Sequence, residues 1–271
     1  MKFAICNETF QGWGIEDIFR TAKEIGYDGV EIAPFTLADS VEEITPARRR
    51  EIVQSAADSG IEIVGLHWLL VKPEGLYINH PDPAIRARTR DYLDALIRFC
   101  ADIGGRVMVF GSPKQRSVHP DLTYDQAWGY ACETFAQCAE TAEEAGAYLC
   151  IEPLARAETD FVNTITDALR MVRDVGHPHF RTMIDIKAIS DDGRPLPAII
   201  EEADGMAMHV HVNDASGRGP GNGDTDFVPI AAALKKIGYN GYCSVEVFDY
   251  KPDPVTIARD SLAYLRKTFG Q

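Results

Sequence analysis

Glu24-Ile25-Gly26-Tyr27-Asp28-Gly29-Val30-Glu31 reads as the end of a helix, a glycine turn and the start of a β-strand. Nearly the same string returns at the other end of the chain as Lys236-Ile237-Gly238-Tyr239-Asn240-Gly241-Tyr242-Cys243. Upstream of the first copy, Ile18, Ala22 and Ile25 lie on one helical face, whereas 29–32 is short and strand-like. A glycine just past a helix supplies the left-handed residue that closes it. The same punctuation recurs at Ser59-Gly60, Ile103-Gly104-Gly105 and Ala145-Gly146, so one αβ unit repeats along the chain.

Extended from these turns, the pattern predicts strands at 3–6, 29–32, 61–66, 107–110, 148–151, 182–186, 207–212 and 243–247. Helices are predicted between them at 15–25, 46–59, 82–103, 123–145, 163–175, 195–203, 227–237 and 254–268. Eight alternating units in 271 residues, 45% of them hydrophobic, predict an α/β fold of one (β/α)8-barrel domain spanning 1–271. Such barrels typically take ~250 residues. An open doubly wound sheet is the alternative, but it would place a glycine-rich phosphate loop after the first strand, where this chain has Cys6-Asn7-Glu8-Thr9. No linker or low-complexity segment marks a second domain.

Charge narrows the partners. With 27 Lys+Arg against 41 Asp+Glu the net charge is -14, which repels nucleic acid and anionic membranes. No apolar stretch approaches the ~18 residues of a membrane span, and residues 1–10 do not form a signal peptide. The six cysteines include no C-x-x-C pair and fall in apolar patterns, as expected for reduced thiols in a cytoplasmic protein.

Barrel enzymes carry their chemistry at the C-terminal ends of the strands, so polar residues where apolar runs stop are the candidates. Leu149-Cys150-Ile151-Glu152-Pro153 and Met183-Ile184-Asp185-Ile186-Lys187 each end in a carboxylate. Met208-His209-Val210-His211-Val212-Asn213-Asp214 places two histidines on one face, and Ser244-Val245-Glu246-Val247 closes the set. Three acids and a histidine at the ends of four consecutive strands are costly to bury without a shared counter-charge, and a divalent cation supplies one. Glu152, Asp185, His211 and Glu246 are therefore the predicted ligands of one metal ion. Three oxygen donors and an imidazole suit Mn²⁺, Mg²⁺, Co²⁺ or Zn²⁺, and the lack of a thiolate argues against a closed structural zinc site. His209, one pleat deeper than His211, reads as a hydrogen-bonded core residue.

These residues resemble the xylose isomerase-like TIM barrels, and within them the D-tagatose 3-epimerase-like sugar epimerases and isomerases. The resemblance covers nearly the whole chain and is strongest from Cys150 to Phe248, through Ile-Glu-Pro, Ile-Asp, His-Val-His-Val-Asn-Asp, 217–223 and Ser-Val-Glu-Val-Phe. It implies a metal-dependent epimerase or isomerase of a small carbohydrate, a ketose or keto-sugar derivative, with Mn²⁺ as the first expectation. It also implies that Glu152 and Glu246 are catalytic, moving protons through a metal-stabilised enediolate on opposite faces of the substrate. Assembly as a dimer or tetramer is a further implication.

One departure bears on the substrate. The family's epimerases commonly carry a histidine three positions after the aspartate, but this chain reads Asp185-Ile186-Lys187-Ala188. Lys187, on the strand face of Asp185, is placed to take over that role. Glu158 and Arg218 lie near the family's substrate-contacting positions, and His67, Trp68 and Lys114 sit in predicted mouth loops. Lys114, Arg116, Arg156, Lys187 and Arg218 together form a predicted basic ring. Phe10, Trp13, Phe35 and Trp68 are candidates to wall a sugar pocket, and the glycine-rich 217–224 loop reads as a tight turn. An alternative for the same site is a lyase or dehydratase expelling a β-leaving group from a keto-sugar or 3-keto-glycoside. An endonuclease IV-type repair enzyme is a remote alternative, because its metal cluster needs histidines that Gly111, Ala188 and 224–227 do not supply.

Overall fold

Short β-branched and apolar runs form the strands, and the helices between them cover the outer face of the sheet. The computed structural model describes residues 1–270. Its strands are β1 (Lys2–Cys6), β2 (Gly29–Ile32), β3 (Glu62–Leu66), β4 (Val107–Phe110), β5 (Tyr148–Ile151), β6 (Phe180–Asp185), β7 (Ala207–Val212) and β8 (Tyr242–Val245). They pair in sequence order, all parallel, and β8 returns to β1 to close the barrel. The helices are α1 (Ile15–Ile25), α2 (Pro46–Ser59), α3 (Pro83–Asp102), α4 (Tyr124–Ala145), α5 (Ile165–Val175), α6 (Ile186–Ile189), α7 (Leu196–Glu202), α8 (Phe227–Lys236) and α9 (Pro254–Phe269). The (β/α)8 barrel expected from the sequence is the fold observed.

Helix ends follow local chemistry. Thr123 and Thr164 each form a capping box, with Gln126 and Asp167 reaching back to the cap amide. Asp82, Asp226 and Asp253 cap α3, α8 and α9. Gly26 ends α1 at φ 114°, a conformation that a Cβ would strain.

The two sides of each strand go to different places. Leu149 and Ile151 join the large apolar shell between sheet and helices, whereas Cys150 packs with Val109 and Met183 in a small separate cluster. Period two thus puts Cys150, Met183, His209 and Ser244 inside the barrel, and the next residue of the same parity on each strand at its C-terminal rim. Those rim residues are Glu152, Asp185, His211 and Glu246.

Both ends of β6 differ from expectation. β6 begins at Phe180 rather than 182, because Phe180 and Arg181 pair with Leu149 and Cys150. It also stops at Asp185, whose carboxylate accepts a hydrogen bond of 2.6 Å from the Ala188 amide and starts the one-turn α6. Lys187 is therefore helical and does not share a strand face with Asp185. Among the described residues no helix is long and apolar enough to cross a membrane.

Candidate functional site

At the rim, one donor atom from each of Glu152, Asp185, His211 and Glu246 lies within 4.8 Å of the others. The His211 Nδ1 stands 3.3 Å from Glu246 Oε2, 3.6 Å from Asp185 Oδ2 and 3.7 Å from Glu152 Oε1. All four residues are at most 5% exposed, and the His211 Nδ1 has no hydrogen-bond partner. A buried nitrogen with no partner, aimed at three converging carboxylates, is a donor set that fits a divalent cation.

Burial pushes the Glu152 carboxyl up to about 7, against the pull of the nearby His211 imidazole and with the help of the Asp185 charge. Burial acts on Glu246 in the same direction, but His211 and His67 outweigh it and hold that carboxyl well below the usual range. Burial alone would lower His211; the charges of Glu246 and Glu31 overcome it and raise the imidazole well above its ordinary value.

Each rim residue is held from behind. Asp185 spends Oδ1 on the Ala188 amide, which leaves Oδ2 for Asn213 Nδ2 at 2.9 Å. The same Asn213 amide reaches Glu246 Oε2 at 3.4 Å and accepts from the Lys187 amide at 2.8 Å, tying three strand ends together. Arg116 is fully buried and donates to the carbonyls of Glu152, at 2.5 Å, and of Phe110. Gly111 leaves the space that Glu152 occupies: a Cβ there would sit 1.8 Å from Glu152 Oε2.

The cavity above the rim is lined by His67, Trp68, Gly111, Pro113, Leu154, Glu158, Lys187, Ala188 and Phe248 as well as the carboxylates. Lys187 Nζ pairs with Glu158 Oε1 at 3.1 Å and lies 4.7 Å from the Phe248 ring centre. Burial would lower the Lys187 ammonium, but Glu158 outweighs it and raises it. Glu158 Oε2 is buried and has no partner. Trp68 packs edge-on against Phe248, with centroids 6.4 Å apart, and adopts φ 52°. A non-glycine residue in that region carries strain of about 1–3 kcal/mol, of the kind often found at ligand clamps.

The structure thus brings together the four predicted ligands and Glu158, Lys187, His67 and Trp68. His67 is 1% exposed and wedged between Glu8 Oε2, at 2.9 Å, and Glu246 Oε1, at 3.4 Å, so it also supports a rim carboxylate. Lys114 and Arg156 are exposed. Arg218 pairs with Asp249 at 3.2 Å beside Asn222 and Lys251, in a separate surface pocket. The predicted basic ring therefore does not form: Arg116 faces inward to carbonyls and Arg218 faces away. Phe10 is buried rather than facing the cavity. The 217–224 turn is held by Asp214, whose carboxylate accepts from the Ser216 and Thr225 amides at 2.8 Å each. His209 hydrogen-bonds Glu31 in the barrel interior, as its deeper position predicted.

Residues the sequence reading passed over are Glu8, Glu31, Asn213 and Phe248. Glu31 carried a signal, an acid between the apolar Val30 and Ile32 inside a strand.

Residues 19–268 match the family model of the xylose isomerase-like TIM barrel. The chain belongs to the xylose isomerase-like TIM barrel family. It is 25% identical over 276 residues to the 3-dehydro-D-guloside 4-epimerase of Escherichia coli (strain K12), covering 98% of this chain and 99% of that enzyme. It is 25% identical to the fructoselysine 3-epimerase of Escherichia coli O157:H7, covering 93% and 92%. The barrel superposes on D-psicose 3-epimerase from Clostridium cellulolyticum H10, solved with D-tagatose, at a TM-score of 0.87 and 20% identity over 99% of both chains. Both sequence relatives are named epimerases, the enzyme class expected for this member of the family.

Proposed function

We propose that this protein is a divalent-metal-dependent sugar epimerase acting on a ketose or keto-sugar derivative. The observation that carries the reading is the placement of two buried carboxylates from different strands, Glu152 after β5 and Glu246 after β8, 3.7 and 3.3 Å from the same His211 nitrogen beneath one cavity. Glu152, Asp185, His211 and Glu246 would hold the ion. Mn²⁺ is the first candidate, and Mg²⁺, Co²⁺ or Zn²⁺ also suit three oxygens and an imidazole. When bound, a divalent cation would supply positive charge beside a carbonyl and a neighbouring hydroxyl, which acidifies the C–H between them.

The chain's own residues then do the proton work. One carboxylate takes the proton from the carbon on one face, and the other returns a proton on the opposite face, inverting that centre. Solvent exchange resets both. Glu158 Oε2, with no partner, and the remaining donors of Lys187 offer an acceptor and a donor to adjacent sugar hydroxyls. Trp68, Phe248 and Leu154 give the ring's apolar face a wall. The pairing of Lys187 with Glu158 favours a neutral polyol over an anionic sugar at this end of the cavity. The same reading takes the protein as a cytoplasmic dimer or tetramer with no nucleic-acid or membrane partner. Six free thiols support a reducing compartment and the net charge of -14 opposes polyanions, while the assembly rests on the family resemblance.

The test is a panel of ketoses and keto-glycosides incubated in deuterated water and followed by NMR. Deuterium should enter the carbon beside the carbonyl while one stereoisomer accumulates. Glu152→Gln and Glu246→Gln should each lower exchange at least ~10²-fold, the usual worth of a general acid or base. Undiminished exchange in both variants overturns the reading, and an unsaturated product or released aglycone replaces it with elimination.

A further inference from the structure

Glu31 on β2 is fully buried and lies beneath the site, touching none of the cavity. Its Oε2 accepts from His209 Nε2 at 2.8 Å, and its two oxygens stand 3.2 and 3.3 Å from His211 Nε2. Cys6 Sγ donates to the same Oε2 at 3.6 Å. β2 and β7 are not neighbours in the barrel, so this carboxylate crosses the interior to meet both histidines.

The consequence falls on His211. Its imidazole has two nitrogens, and a carboxylate only accepts hydrogen bonds, so the nitrogen facing Glu31 is the one that carries hydrogen. The other nitrogen, Nδ1, is the atom surrounded by Glu152, Asp185 and Glu246. We propose that Glu31 is the positioning residue of this centre, keeping the hydrogen on His211 Nε2 so that Nδ1, facing the space between the three rim carboxylates, is the nitrogen that gives up its proton and offers its lone pair when a metal binds. This rests on the metal reading above. An acid behind a metal-binding histidine fixes the ring's orientation and tautomer and makes the ligating nitrogen more basic. His209 uses the same carboxylate, so Glu31 ties both histidines of β7 to β2.

Glu31→Gln tests this with little change of shape. The amide offers one acceptor oxygen where the carboxylate offers two, and turns an NH₂ toward an imidazole N–H. Mn²⁺ affinity would be measured by competition with a chromogenic chelator, at a temperature where both proteins are folded by circular dichroism. The variant should bind about 10- to 100-fold more weakly than wild type. A merely structural role would lower the melting temperature and leave that affinity unchanged, which overturns the proposal. A second measurement needs no variant: nitrogen-15 NMR of wild-type His211, with Zn²⁺ as a diamagnetic probe. Nε2 should keep its hydrogen while Nδ1 shifts on metal addition; a shift at Nε2 instead overturns the proposal even where Glu31→Gln fails to fold. Wild type that binds neither ion overturns the metal reading itself, and this inference with it.

Discussion

Gly111 shows how little room the site leaves. A methyl group at this position would meet Glu152 Oε2 at 1.8 Å, and the carboxylate can escape only by leaving the rim. Gly111→Ala should therefore lower kcat about 10²-fold, the effect of a displacement near 1 Å in a reacting group, while the melting temperature moves little. Steady-state kinetics beside a thermal melt checks both halves. At this scale the four donors were legible because each ends an apolar run, and a rim position can be counted along a strand. Glu8, Glu31 and Asn213 were not, since they act on side chains from other strands and nothing in their neighbours names the partner. Arg116 was misread for a related reason. An arginine in a loop pattern suggests solvent, yet this one is fully buried, donating to the carbonyls of Glu152 and Phe110.

Among elements, β3 and β4 form the most restricted junction. They share only two paired positions, Gly65 with Val107 and Leu66 with Met108, and a Cβ on Gly65 would lie 1.7 Å from the Val107 carbonyl oxygen. Because the clashing atom is backbone, the pair must part rather than a side chain rotate. Gly65→Ala should cost about 3 kcal/mol, the upper end for overpacking, seen as a lower urea midpoint with the slope retained. Most helices and strands were readable from periodicity and glycine closure, with boundaries moved by one or two residues. The exception, α6, has no periodicity to read. It exists because Asp185 caps it, and it changes how Lys187 reaches the cavity, from an expected strand face to a helical turn bonded to Glu158.

For the whole molecule, the cluster of acids links stability, pH and metal. In the metal-free protein burial raises Glu152 to about 7, above an ordinary value of 4.5. A raised folded-state value means that Glu152's contribution to stability is complete below about 4.5 and is lost as pH rises through about 7. The metal-free melting temperature should accordingly fall across that window, and Glu152→Gln should flatten the fall. Mn²⁺ must displace the same proton, so its affinity should climb with pH through about 7, and the raised His211 imidazole, which must also give up a proton, carries the climb further. At a hundredfold excess over Kd, bound metal adds ~2.7 kcal/mol, which a chelator should remove. Calorimetry at several pH values, with and without metal, would show a flat affinity profile if Glu152 and His211 were outside the site. The sequence by itself determined the barrel and the rim donors, because helix closure, strand period and the end of an apolar run are all local. Only the tertiary structure decided that Glu31 reaches across the interior to His211, that Arg116 turns inward, and that Arg218 lies outside the cavity. Those outcomes depend on contacts between strands and loops far apart in the chain, where side-chain direction and barrel closure, rather than neighbouring residues, set who meets whom.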